Sequence, residues 1–273
     1  MDLNALSLPE LVPDTMRARR FRMARTVMAL MLREMSTTYG RSPGGYIWAL
    51  LEPILGVTFL VFVFSFMMRD PPLGNSFALF YASGFMPFMA FNDIANKVAT
   101  SVRYSKPLLQ YPVVTYFDAM LARMLLTVFS HTVVMVLIMA GIIIMEDTRA
   151  HIQIGNLVQA VGMLMALAFG VGTINAFLMA AFPIWERLWT ILTKPLMLVS
   201  GIFFTYASLP LQAQQILWYN PLMHIIGMFR SGIYHGYDNS YVDQGYIYGL
   251  SMSLMVLGMM LLNRHHLKMM NEM

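Results

Sequence analysis

The chain has no cysteine, which excludes disulfides and thiolate metal sites and leaves the compartment open. Charge is the second shortage. Asp, Glu, Lys and Arg make up 12% of the 273 residues, against about 25% in soluble domains. Hydrophobic residues make up 58%, and mean hydropathy is +0.60. A soluble fold could not keep this much apolar surface from water, so the solvent is lipid. Catalytic signatures are missing as well. There is no GxxxxGK[ST] loop to cradle phosphates, no GxSxG, no HExxH, and no carboxylate pair spaced for sugar chemistry. These absences favour a conduit or scaffold over an enzyme, with no metal or cofactor held by this chain. The first 35 residues are too basic and too interrupted for a signal peptide.

Lys and Arg exceed Asp and Glu by 18 to 14, for a net charge of +4 and a pI near 9.3. In a soluble protein that excess would suggest nucleic acid. In a membrane protein it reflects topology, because cytoplasmic loops collect Lys and Arg. The 28 methionines are adaptable fillers of helix packing.

Runs of about 20 apolar residues mark membrane helices. They fall at Tyr46 to Met68, Phe77 to Phe91 (short unless it continues to about Val98), and Met124 to Met145. The others are Ile152 to Trp185, Leu188 to Thr205, and Tyr246 to Asn263. Six spans place both termini on one side. The presumptive cytoplasmic segments hold 15 Lys and Arg, and the opposite side holds only Arg69, Arg149 and Arg230. The positive-inside rule then puts both termini in the cytoplasm. The expected class is an all-α integral membrane protein of an inner membrane. Residues 1–44 form a cytoplasmic segment, 45–263 the six-span domain and 264–273 a cytoplasmic tail.

Three segments depart from plain spans. Met16 to Met35 reads as an amphipathic helix in the headgroup layer, with Phe21, Ala24, Met28, Met31 and Met35 on one face and arginines largely on the other. It serves either as an anchor to anionic lipid or as a gate helix meeting a partner or an anionic substrate. The connection Ala95 to Tyr116 fits a short helix lying across the cytoplasmic face. The stretch after the fifth span stays apolar to Gly236 yet contains Pro210, Pro221, three glutamines and Asn220. It reads as a periplasmic re-entrant hairpin broken near Leu209-Pro210, which is tolerated only where backbone is buried in protein or lines a wet cavity. His131 sits within the third span, where packing or a hydrogen bond to a neighbouring helix competes with a proton relay. His265-His266 belongs to a solvated tail.

YGRSPGGYIWALLEPIL, residues 39–55, places Glu52 and Pro53 inside the first span. Gly44-Gly45 supplies a corner, and Glu52 lies about 10 Å along the helix from it. Glu52 either fixes a gate, by pairing with an Arg such as Arg41, or touches sugar, or carries a proton.

LREMSTTYGRSPGGYIWALLEP, residues 32–53, resembles the N-terminal signature of ABC-2 type polysaccharide-export permeases, most closely the capsular polysaccharide exporters. SKPLLQYPVVTYFDAMLAR, 105–123, resembles the family's coupling region. WYNPLMHIIGMFRSGIYHG, 218–236, resembles its hairpin after span five. Gly227 departs from relatives that carry an acid there. The resemblance implies a homodimer working with two separate ATPase subunits, which bind ATP and Mg, and a periplasmic co-polymerase or adaptor. A lipid-linked acidic polysaccharide would pass between the two copies, along spans one and five. Arg22, Arg25, Arg33 and Arg41 would form the anion-attracting entrance, with Tyr39, Tyr46 and Trp48 as aromatic contacts and Glu52 at the gate. Phe203, Phe204, Tyr206 and His224 would line the exit. Lys97, Arg103, Tyr104, Lys106 and Leu109 would couple to the ATPase. The alternatives are export of another glycan or lipid, such as O-antigen or teichoic acid, and a non-transporting scaffold of a synthesis complex.

Overall fold

The computed structural model of the chain describes residues 22–38, 45–104, 115–146, 148 and 150–272. Among the described residues the regular structure is helical, with nine α-helices and one 3-10 turn. The helices are α1 (Arg22–Thr38), α2 (Gly45–Ser65), α3 (Phe77–Tyr104), α4 (Tyr116–Met145) and α5 (Ile154–Ala181). They continue as α6 (Trp185–Val199), α7 (Leu211–Leu217), α8 (Pro221–Ser231) and α9 (Gln244–Glu272). Three of them, α4, α5 and the Gln244–Arg264 part of α9, are long and apolar enough to cross a membrane, and Leu50–Ser65 of α2 is a shorter apolar helix.

The centre is α3 on α5. Helix α4 packs on the other side of α3, α9 on α5, and α8 across both α3 and α5. Small residues on α5, among them Ala168, Gly172 and Ala176, are buried and let its neighbours come close. Helix α3 runs unbroken to Tyr104. Residues 95–104 are thus its last turns and no separate surface helix, because the apolar positions Ile94, Ala95, Val98 and Ala99 stay buried. Helix α4 opens with a capping box. The Asp118 amide donates to the Thr115 hydroxyl at 3.1 Å, and the Thr115 amide donates to the Asp118 carboxylate at 3.0 Å.

Helix α1 lies along α4. Val27 is its buried contact, whereas Met28 is exposed. The inward face is therefore rotated from the expected one, and the exposed Met23, Met28 and Leu32 are placed to meet lipid. The expected Met16 to Phe21 part of this helix lies outside the described residues.

Span five departs most from expectation. The helix stops at Val199, and Gly201 takes a left-handed φ of +83° that turns the chain back. Ile202 to Thr205 then run without helix to the 3-10 turn Tyr206–Ser208. Asn220 joins the two ends of this return. Its carbonyl accepts the Leu222 amide at 3.1 Å, capping α8, and its amide donates to the Val199 carbonyl at 3.0 Å, closing α6.

Arg230 on α8 holds the returning segment. It is 1% exposed and has no carboxylate partner among the described residues. Its guanidinium donates to the carbonyls of Phe204 at 2.9 Å and Ile202 at 3.1 Å, and to the Ser83 hydroxyl at 3.3 Å. It also lies 4.2 Å from the centroid of the Phe80 ring. One planar cation thus clamps α8, α3 and the turn. Arg230→Met should lower stability by on the order of 3 kcal/mol, because two buried carbonyls lose their donors. Arg230→Lys should recover little, since an ammonium cannot reproduce the fork. Thermal melting of the purified protein in detergent checks both. A melting temperature unchanged by Arg230→Met contradicts the clamp.

Candidate functional site

Polar residues in a chain this apolar are informative where they converge. They converge in a cavity of about 550 Å³ lined by α1, α2, α3 and α4, with Met197 of α6 at its edge. Helix α2 contributes Glu52 and Pro53, and α1 contributes Glu34. Helix α3 contributes Asn92, Asp93, Asn96 and Lys97, spaced so that one stripe of the helix faces the space. Helix α4 contributes Arg123, Thr127, Ser130 and His131 at the same helical spacing. Ionisable groups in membrane helices turn to the bundle interior or to water and pair with one another.

Two pairs form across helices. Arg123 donates to the Glu34 carboxylate at 2.6 Å, with side chains 11% and 26% exposed. His131 Nε2 donates to the Asp93 carboxylate at 3.0 Å. This is the hydrogen bond to a neighbouring helix expected for His131. Asn96 donates to Asn92 at 3.3 Å. Glu52 and Lys97 form no hydrogen bond or ion pair with a described residue; Lys97 lies one turn beyond Asp93 and acts on it only through its field. Pro53 removes one i→i−4 bond from α2 beside Glu52. The residue expected to pair with Glu52, Arg41, lies outside the described residues.

The expected entrance residues divide. Arg25, Arg33 and Trp48 are exposed, Trp48 by 61%. Tyr39 and Arg41 lie outside the described residues, and so do the side chains of Arg22 and Tyr46. Of the expected coupling residues, Lys97 lines the cavity, inside the bundle. Arg103, at the end of α3, donates to Glu186 at the start of α6, 3.0 Å away. The Tyr104 side chain, Lys106 and Leu109 lie outside the described residues.

The expected exit residues make contacts within the chain. Phe203 packs on Phe64 of α2, with ring centroids 5.4 Å apart. Phe204 supplies a carbonyl to Arg230. Tyr206 stacks on Tyr241 at 4.0 Å. His224 is fully buried; its Nε2 donates to the Trp218 carbonyl at 2.6 Å and its Nδ1 accepts the Asp243 amide at 3.1 Å. With both nitrogens used, His224 braces the hairpin and has none left for a ligand. Gly227 faces Tyr241, whose Cζ would stand 2.8 Å from any Cβ built there.

The profile of the ABC-2 type transporter family matches residues 25–234, a range that takes in α1 to α8, the cavity and Arg230. The chain belongs to this family. It is 31% identical over 239 residues to the polysialic acid transport protein KpsM of Escherichia coli, covering 86% of this chain and 92% of that protein. It is 28% identical over 237 residues to the capsule polysaccharide export inner-membrane protein BexB of Haemophilus influenzae, covering 87% and 89%. It is 27% identical over 240 residues to CtrC of Neisseria meningitidis, a capsule polysaccharide export inner-membrane protein, covering 88% and 91%.

Sequence reasoning passed over Glu34, Asp93 and Arg123 in this ABC-2 chain. Asp93 and Lys97, four apart within an extension of an apolar run, were the available signal. Depth separates the ion pairs energetically. A double-mutant cycle of Glu34→Gln and Arg123→Gln, read from unfolding in detergent, should give a coupling of about 1–3 kcal/mol. The same cycle at Arg103 and Glu186, 55% and 51% exposed, should stay below about 1 kcal/mol. Equal couplings contradict the assignment.

Proposed function

We propose that this chain is the transmembrane subunit of an ABC exporter that moves a lipid-linked, acidic capsular polysaccharide across a bacterial inner membrane. The observation that carries the reading is similarity, extending over most of both chains, to proteins named for polysialic acid transport and capsule polysaccharide export. ATP is hydrolysed in separate subunits, which dock at the cytoplasmic end of α3 near Arg103, and a periplasmic adaptor receives the polymer.

In this reading α2, α3 and α6 cross the membrane with α4, α5 and α9. Interhelix contacts support the alternation. Glu34 meets Arg123 and Arg103 meets Glu186 at one end. The His151 amide meets the Ile233 carbonyl at the other. Helix α6 spans only about 22 Å at 1.5 Å per residue, less than the ~30 Å of hydrocarbon. The clamped return from Gly201 to Phe204 then completes the crossing and begins the re-entrant hairpin of α7 and α8. Arg230 is buried, so it leaves the charge count of the periplasmic side, which sharpens the positive-inside argument.

A second copy of the chain supplies the missing half of the pathway. Helices α2 and α6 expose apolar side chains, including Phe59, Phe62, Ile191 and Leu192. The same two helices expose Glu52 and Lys194. A charge facing lipid at mid-span costs about 2.5–3.5 kcal/mol on insertion scales, so these faces suit a partner protomer and a wet path between the two. Arg25 and Arg33, with Arg22 and Arg41, attract the polyanion at the cytoplasmic rim. Tyr39, Tyr46 and Trp48 offer stacking surfaces there.

Arg33→Ala and Trp48→Ala should each reduce capsule display on cells at unchanged protein level; full display in both removes the entrance assignment. Because the chain lacks cysteine, topology can be read by labelling. Asn75→Cys and Asp238→Cys should react with an impermeant maleimide in spheroplasts, and Arg187→Cys only after permeabilisation. Labelling of Arg187→Cys from outside contradicts the six-span arrangement.

A further inference from the structure

The cavity among α1 to α4 is unsuited to the polyanion. The charged and titratable groups that face it are Glu34, Glu52, Asp93, Lys97, Arg123 and His131. Counted without His131, three carboxylates against two cations leave one net negative charge. Glu34 is held by Arg123 and Asp93 by His131, and this leaves one cation and one anion, Lys97 and Glu52, without an ion pair or hydrogen bond to a described residue. In the six-span reading, on which this inference rests, Glu52, Lys97 and Arg123 each lie seven residues from the cytoplasmic end of their helix. That places all three about 10 Å in, at one level. Beyond them, past Asp93, Ser130 and His131, the wall turns apolar at Phe85, Met86, Met89, Val134 and Met135. The volume falls within the ~300–1,000 Å³ of small-molecule sites.

A cavity with polar and apolar parts, holding one cation and one anion that lack a hydrogen bond or ion pair to a described residue, fits an amphipathic zwitterion. We propose that it binds a phosphoethanolamine headgroup, with the phosphate on Lys97, the primary ammonium on Glu52, and the first carbons of the attached lipid along the apolar wall. The Lys97 ammonium brings three donors to phosphate oxygens, and the Glu52 carboxylate accepts the N–H groups of a primary amine. A trimethylated ammonium offers no such donor. An anionic glycerol headgroup offers Glu52 no positive charge. The bound headgroup would bridge α2 to α3 at the level of Pro53 and set the position of the gate segment.

Native mass spectrometry of the purified full chain tests this, with phosphatidyl-ethanolamine, -choline and -glycerol of identical acyl chains added separately. One phosphatidylethanolamine per protomer should be retained about tenfold better than either other lipid, as expected for one lost charge-assisted bond. Lys97→Met and Glu52→Gln should each erase that preference, while Glu186→Gln keeps it. Equal retention of the three lipids by the unaltered protein overturns the proposal without any variant having to fold. So does a preference that survives both substitutions. Soluble glycerophosphoethanolamine in excess resolves the source. Retention against it supports the membrane lipid, and displacement by it supports a free zwitterion of the same headgroup chemistry. Lipid retention needs no transport, so a null here leaves the exporter reading standing, and failed export leaves the lipid site standing.

Discussion

A guanidinium with no carboxylate partner among the described residues holds one end of this molecule together. Arg230 is sealed between α8, α3 and the return after α6, satisfied by two carbonyls, one hydroxyl and an aromatic face. A buried cation is costly unless fully hydrogen-bonded, so its donors fix where Ile202 and Phe204 sit. Their position turns Phe203 onto Phe64 and Tyr81. Asn220 and His224 tie the hairpin's backbone from the other side. A short α6 and a broken segment thereby become a defined turn, with its irregular backbone buried in protein.

The opposite end works by distributed charge. Glu34–Arg123 and Asp93–His131 lock α1 and α3 to α4, while the Glu52 and Lys97 side chains form no hydrogen bond or ion pair with a described residue. This division separates two jobs. In the proposed reading, the exposed arginines of α1 meet an acidic polymer and the outward faces of α2 and α6 meet a second copy. The inner cavity, with its acidic excess, suits a small zwitterion. Glu52 stands at the boundary, on an exposed face of α2 and on the cavity rim, and a proline next to it loosens the helix.

Much of the helical plan was legible because long apolar runs have few other solutions. The apolar runs at α2 and α5 appear as helices within about four residues of their expected limits, whereas α4 begins eight residues before its expected start and α9 runs nine residues past its expected end. The misses have physical causes. Asn92 and Asp93 look like the end of a span, yet α3 continues because those polar groups face a cavity. Span five seemed to continue through Thr205, yet Gly201 reverses the chain, and no local pattern announces that a distant Arg230 will capture the following carbonyls. The pairs Glu34–Arg123 and Asp93–His131 join residues 89 and 38 positions apart, and composition is silent about such partners. Phe203, Tyr206 and His224 have the residue types of a glycan path, and the structure shows them also packed or hydrogen-bonded within the chain.

The most direct test of the export account is transport by purified components. The chain would be reconstituted into proteoliposomes with the ATPase subunit that co-purifies with it, and labelled lipid-linked acidic polysaccharide would be supplied on the ATPase side. The account expects labelled polymer to reach the lumen only with hydrolysable ATP and only when this chain is present. ATP hydrolysis that depends on the chain but moves no polysaccharide would contradict it.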